Sequence, residues 1–93
     1  MYYVYILQSL QDSSLYTGST NNLKRRFLEH NNGESKYTKK KWPWKLIYYE
    51  AYVIEKDARK REVFLKSGSG KKYIDKQLNY YFIKYPRKKA KLT

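Results

Sequence analysis

Five side chains in this chain have the chemistry that phosphodiester hydrolysis requires: Tyr5, Tyr16, Arg26, His30 and Glu62. Such hydrolysis needs a base to activate water, a cation to stabilise charge on the pentacoordinate phosphorus, and usually a metal held by a carboxylate. Taken singly, each has a plainer use. A strand tyrosine packs, an arginine on a basic helix faces solvent, and a lone histidine caps a helix end or packs. Any case for chemistry must come from the elements that bring the five together.

Tyr16-Thr17-Gly18 leads into Ser19-Thr20-Asn21-Asn22 and then Leu23-Lys24-Arg25-Arg26-Phe27-Leu28-Glu29-His30. This reads as a strand ended by Gly18, polar capping residues, and a helix running to about Asn31, with Asn21 or Asn22 as N-cap and Gly33 just past the stop. Arg26 and His30, four residues apart, share a face of that helix. Gly18 is expected to turn the chain so that Tyr16 and Arg26 face one phosphate. Upstream, Tyr2 to Gln8 is apolar on both faces, as in a central strand, and Gln11-Asp12-Ser13-Ser14 is a turn, making Leu15-Tyr16-Thr17 the return of a hairpin.

Asn31 to Lys41 reads as a polar loop. Trp42-Pro43-Trp44 stops any helix before a third strand, Lys45 to Val53, with both tryptophans expected in core or sheet-edge packing. Glu55 to about Lys66 has helical composition and sets Glu62 on or beside the apolar face of Ala58 and Leu65. Ser67-Gly68-Ser69-Gly70 reads as a flexible break, Lys71 to about Phe82 as a third helix or an extended aromatic segment, and 84–93 as a frayed basic tail. The expected organisation is a single domain over 1–83 followed by that tail.

The chain has 93 residues, room for one modest core. Twenty-one Lys and Arg against 8 Asp and Glu leave a net charge of +13, so a polyanion is the expected partner, with nucleic acid preferred to an anionic membrane surface. Lys24, Arg25, Lys39, Lys40 and Lys41 are the candidate phosphate contacts. The absence of cysteine excludes disulfides, zinc ribbons and thiol nucleophiles. The apolar run Tyr2 to Leu7 is too short for a signal core or a membrane span, which predicts a cytoplasmic protein with no membrane association.

Tyr3-Val4-Tyr5, Tyr16-Thr17-Gly18, Arg26 and His30 in the first helix, and Glu62 in a later one together resemble the GIY-YIG nuclease superfamily. Lys36-Tyr37-Thr38-Lys39 followed by Trp42-Pro43-Trp44-Lys45-Leu46-Ile47-Tyr48-Tyr49-Glu50 is similar to its small stand-alone bacterial group, which is related to the N-terminal nuclease module of the excinuclease incision subunit. Tyr3 stands where the family name has glycine, and Ser19 where the excinuclease module carries lysine. The resemblance implies an α/β (α+β) fold, a small three-stranded antiparallel sheet flanked by helices.

It also implies a divalent-metal-dependent endonuclease cutting DNA by structure rather than by sequence, in repair or recombination. In that scheme Tyr16 activates water, Tyr5 orients the water or the phosphate, and Arg26 stabilises the phosphorane. His30 assists positioning or proton transfer, and Glu62 holds one Mg²⁺ or Mn²⁺ ion. A non-catalytic nucleic-acid-binding protein on the same fold is the alternative reading.

Overall fold

The structure, a computed structural model, describes residues 1–88. The elements in chain order are β1 (Tyr2–Ser9), β2 (Leu15–Thr20), α1 (Leu23–Asn31), a 3-10 turn (Lys39–Lys41), β3 (Trp44–Tyr52), α2 (Glu55–Lys66), α3 (Gly68–Gln77) and α4 (Asn79–Lys84). The strands form an antiparallel sheet in the order β2-β1-β3, so β1 is central, as its two apolar faces require. The expected α/β architecture is therefore the one found.

The alternation of β1 divides the molecule into two layers. Tyr5 and Leu7 point to one face, where Trp44, Leu46 and Tyr16 meet Leu23 and Phe27 of α1. Val4 and Ile6 point to the other, against Ala58 and Leu65 of α2 and Ile74 of α3. On that second face Glu50 ties β3 to α2: it accepts hydrogen bonds from the Tyr48 and Tyr52 hydroxyls and from Arg61 Nε and Nη2 at 2.9 and 3.1 Å.

Asn22 caps α1, its side chain accepting from the Arg25 backbone N–H at 3.1 Å. Gly33, at φ +74°, follows the helix end as the glycine stop predicts. Three expectations are corrected. Gly18 does not end β2, which runs on to Thr20. Ser67-Gly68-Ser69-Gly70 is not a flexible break: the Ser67 hydroxyl accepts from the Gly70 N–H at 3.1 Å and caps α3 directly after α2.

The third correction concerns the basic segment after α4. Through Lys88 it is docked rather than frayed, with Arg87 donating to both carboxylate oxygens of Asp75 at 2.7 and 2.9 Å and the Lys88 N–H donating to Ser13 O at 3.0 Å. Lys89 to Thr93, the rest of the proposed tail, lie outside the described residues. The segment read as a helix or an extended aromatic stretch is two helices, α3 and α4.

Candidate functional site

Register places the first tyrosine. Tyr5 of β1 faces Gly18 of β2 directly, and Leu7 faces Tyr16, so both tyrosines and the glycine share the α1 face of the sheet. A Cβ on Gly18 would stand 2.6 Å from the Tyr5 hydroxyl oxygen and 3.1 Å from the Tyr16 ring. Glycine is required here for the space it leaves, since the Tyr5 phenol lies across its backbone, and not for a turn.

Above the phenol, α1 brings down His30. The Tyr5 hydroxyl is hydrogen-bonded to His30 Nε2 at 2.8 Å, and His30 Nδ1 is bonded to Thr38 Oγ1 at 2.8 Å. All three residues are sealed from solvent, Tyr5 at 1% exposure and His30 and Thr38 at 0%. Burial, helped by the Arg26 charge, lowers the His30 pKa to about 4, so the imidazole is neutral at pH 7 with one donor and one acceptor nitrogen. Burial first, and then Tyr16, raise the Tyr5 phenol to about 12, while a hydrogen bond and the charge of Arg26 pull it back.

Arg26 stands one turn before His30, half-buried, its Nη1 donating to Glu29 Oε1 at 3.0 Å. Tyr16 is half-exposed, and its ring meets His30 edge-on at 5.0 Å and Trp44 at 6.3 Å. Tyr5, Tyr16, Arg26 and His30 therefore form one cluster beneath α1.

Glu62 comes from the opposite layer. Ser19 pairs with Val4 and so faces α2, where its hydroxyl donates to Glu62 Oε1 at 2.5 Å. Lys66 Nζ donates to Glu62 Oε2 at 2.6 Å. Burial opposes ionisation of this carboxyl, but the bonds from Lys66 and Ser19 outweigh it and hold the pKa below the usual range. Because β2 is the edge strand, Glu62 sits beside the residue next to Gly18, and its charge still acts on the Tyr5 hydroxyl.

Among the described residues no group of three or more His, Asp, Glu or Cys converges on a metal position. Glu62 is an ionised carboxylate of the kind Mg²⁺ takes, one or two at a time with water and substrate phosphate, but both its oxygens are engaged, by Ser19 and by the Lys66 ammonium, so a cation would have to displace Lys66.

Several supporting residues gave no signal as single letters. Thr38 orients His30, and its carbonyl accepts from Trp44 Nε1 at 2.8 Å. Asn31 brackets the backbone of Trp44, accepting from its N–H at 2.8 Å and donating to its carbonyl at 3.0 Å. Trp44 is the buried tryptophan, 5% exposed, whereas Trp42 is 52% exposed, contrary to the packing expected for both.

The candidate phosphate contacts also divide. Lys24, Arg25, Lys39 and Lys40 are exposed. Lys41 is half-buried and pairs with Asp12 at 3.4 Å.

The model of the GIY-YIG catalytic domain matches residues 1–79. The UPF0213 protein of Clostridium perfringens is 49% identical over 67 residues, 71% of each chain, and that of Staphylococcus saprophyticus is 40% identical over 74 residues, 78% of this chain and 89% of its own. The solution NMR structure of a UPF0213 protein from Bacillus halodurans superposes with a TM-score of 0.51 at 32% identity, covering 83% of this chain and 85% of the other. With its three-stranded sheet, its tyrosine pair across Gly18 and a match over most of its length, the chain belongs to the GIY-YIG nuclease family, among its small UPF0213 members.

Proposed function

We propose that this protein is a cytoplasmic, divalent-cation-dependent endonuclease that hydrolyses phosphodiester bonds in DNA, selecting structure over sequence, in repair or recombination. The observation that carries the reading is the Tyr5 hydroxyl bonded to His30 Nε2 above the bare backbone of Gly18, with Tyr16 beside it and the Arg26 charge acting on it. A cluster serving only to pack would not need a neutral imidazole, a phenol and a guanidinium at one point. The cations around it act on phosphates, which carry no sequence information by themselves.

Glu62, with the Ser19 hydroxyl, would hold the cation. When bound, Mg²⁺ or Mn²⁺ offsets negative charge on the phosphate oxygens. Arg26 bears on the same phosphate and stabilises the charge gathering on its oxygens in the transition state. Tyr16, the more exposed phenol, meets the attacking water and orients it towards phosphorus. The proton leaving that water can be accepted at Tyr5 only as the Tyr5 hydroxyl hydrogen passes to His30 Nε2, the neutral nitrogen bonded to it. Thr38, bonded to the second ring nitrogen, keeps the imidazole turned towards Tyr5.

Purified protein incubated with nicked, branched and single-stranded DNA tests the reading, with and without Mg²⁺ or Mn²⁺. Cation-dependent cutting is expected, and both Glu62→Ala and Tyr16→Phe should lose it by a hundredfold or more while retaining DNA binding, on the order of the loss seen when one transition-state contact is removed. Undiminished cutting by Glu62→Ala would overturn the metal role. Binding without cutting under any of these conditions would favour the non-catalytic alternative.

A further inference from the structure

The sheet face that carries Tyr5 is only partly covered. Of the β3 side chains, Trp44 and Leu46 pack with Leu23 and Phe27 of α1, and the cover stops there. Tyr49 pairs directly with Tyr5 and so shares its face, yet it is 55% exposed where Tyr5 is sealed, and Ala51 beyond it is exposed too. Tyr3, on the same face, is half-buried, and its ring meets that of Tyr49 edge to face at 6.1 Å and 61°. One such contact fixes the direction of the Tyr49 ring without covering both of its faces. Directly opposed residues in a sheet stand about 5 Å apart at Cβ. Tyr49 is therefore one side-chain spacing from the phenol on which the Arg26 charge acts.

The sheet aims no carboxylate at this patch. Glu50 is the only acidic residue in the three strands, and it points to the other layer, where Tyr48, Tyr52 and Arg61 hold it. Glu29 of α1 is held by Arg25 and Arg26. The patch is thus aromatic and uncharged, bordered by a guanidinium in a chain of net charge +13. A second copy of the chain seated here would set two such charges against each other. A DNA strand matches both features, with phosphates for the cation and a base for the ring. In continuous duplex the bases are stacked on one another and withhold their faces, so the base that fits is an unpaired one.

We propose that Tyr49, braced by Tyr3, is a stacking platform for one unpaired base of the DNA strand whose phosphate lies at Tyr5 and Arg26. The place of that phosphate rests on the nuclease reading. The platform gives selection by structure a physical origin: a single strand, a flap or a branch offers a free base beside the phosphate, and continuous duplex does not.

The full chain, without divalent cations so that binding is read apart from cutting, is titrated by fluorescence anisotropy with three DNAs of equal length: a single strand, the same strand carrying a run of abasic sites, and a duplex. Tyr49→Ala should weaken single-strand binding about tenfold, the scale of one lost base–aromatic stack. It should leave the abasic strand and the duplex bound as by the native protein. Tyr49→Phe, which keeps the ring, should retain native affinity, and Tyr3→Ala should weaken the single strand by a smaller factor. In aromatic-proton NMR the Tyr49 ring resonances should shift with the single strand and not with the abasic one.

Unchanged single-strand binding by Tyr49→Ala, an equal loss on all three DNAs, failure of Tyr49→Phe to keep affinity, or unmoved Tyr49 ring resonances would each overturn the proposal. So would Tyr49-dependent self-association in light scattering without DNA, which would assign the face to a second copy. The nuclease reading is scored separately by cutting with Mg²⁺ or Mn²⁺. Cutting by a protein whose binding ignores Tyr49 removes the platform alone, Tyr49-dependent binding without cutting removes the nuclease reading alone, and no affinity for any of the three DNAs removes both.

Discussion

Gly18 and His30 are the positions where one atom more or one proton more should matter most. In Gly18→Ala the new methyl must displace the Tyr5 hydroxyl, 2.6 Å away, and so break the bond to His30. The expected cost is about 1–3 kcal/mol of stability from overpacking, together with loss of any DNA cutting, measured by urea denaturation and a cleavage assay on the same sample. For His30 the unfolded chain takes up its proton near pH 6.5, and the folded protein not until about pH 4. Between those values the unfolded state binds more protons, so stability falls as pH is lowered, by at most about 1.4 kcal/mol per pH unit. Denaturation of the native protein and of His30→Gln compared at pH 6.5 and 5 should show the steeper slope in the native protein, since Glu50 and Glu62, whose carboxyls are held below the usual range, contribute equally to both.

Where α2 meets α3, two neighbouring glycines have opposite reasons to exist. A Cβ on Gly70 would stand 1.9 Å from Phe64 O and 2.5 Å from Leu65 Cα, backbone atoms that cannot swing aside. Gly68, two residues earlier in the same helix, has nothing within 4 Å. Gly70→Ala must therefore lever α3 away from α2 and is expected to cost at least about 1–3 kcal/mol, whereas Gly68→Ala should be neutral or stabilising by up to about 1 kcal/mol. Urea midpoints of the two variants check both signs, and equal effects would refute the close-approach argument. The helix–turn–helix that a Ser-Gly-Ser-Gly run disguises as a linker thus depends on one glycine for approach and one serine for its cap.

For the whole molecule, the charge of +13 governs the encounter with nucleic acid. Affinity for DNA should fall linearly in log–log form as salt rises, with a slope set by the number of phosphates neutralised. Removing one exposed cation, Lys40→Ala or Lys24→Ala, should reduce that slope by about one. Lys41→Ala should change it less and stability more, because Lys41 already pairs with Asp12. Fluorescence-anisotropy titrations at several salt concentrations measure the slopes, and a flat dependence would rule out electrostatic binding.

Local pattern by itself determined the strands, the capped first helix and the helix bearing Glu62, because alternation, caps and glycine stops act over a few residues. The resemblance to the GIY-YIG family, carried by ordered motifs, is what grouped the tyrosines, Arg26, His30 and Glu62 as a set. The tertiary structure alone decided how they stand: Tyr5 buried under His30 with Thr38 behind it, and Glu62 arriving from the other face through Ser19. Those relations join residues 25 and 43 positions apart, and register and layer packing, to which no local preference is sensitive, set them. The same reason hid the task of Gly18, which looks like a turn in one dimension and is, in three, the clearance for a phenol from the next strand.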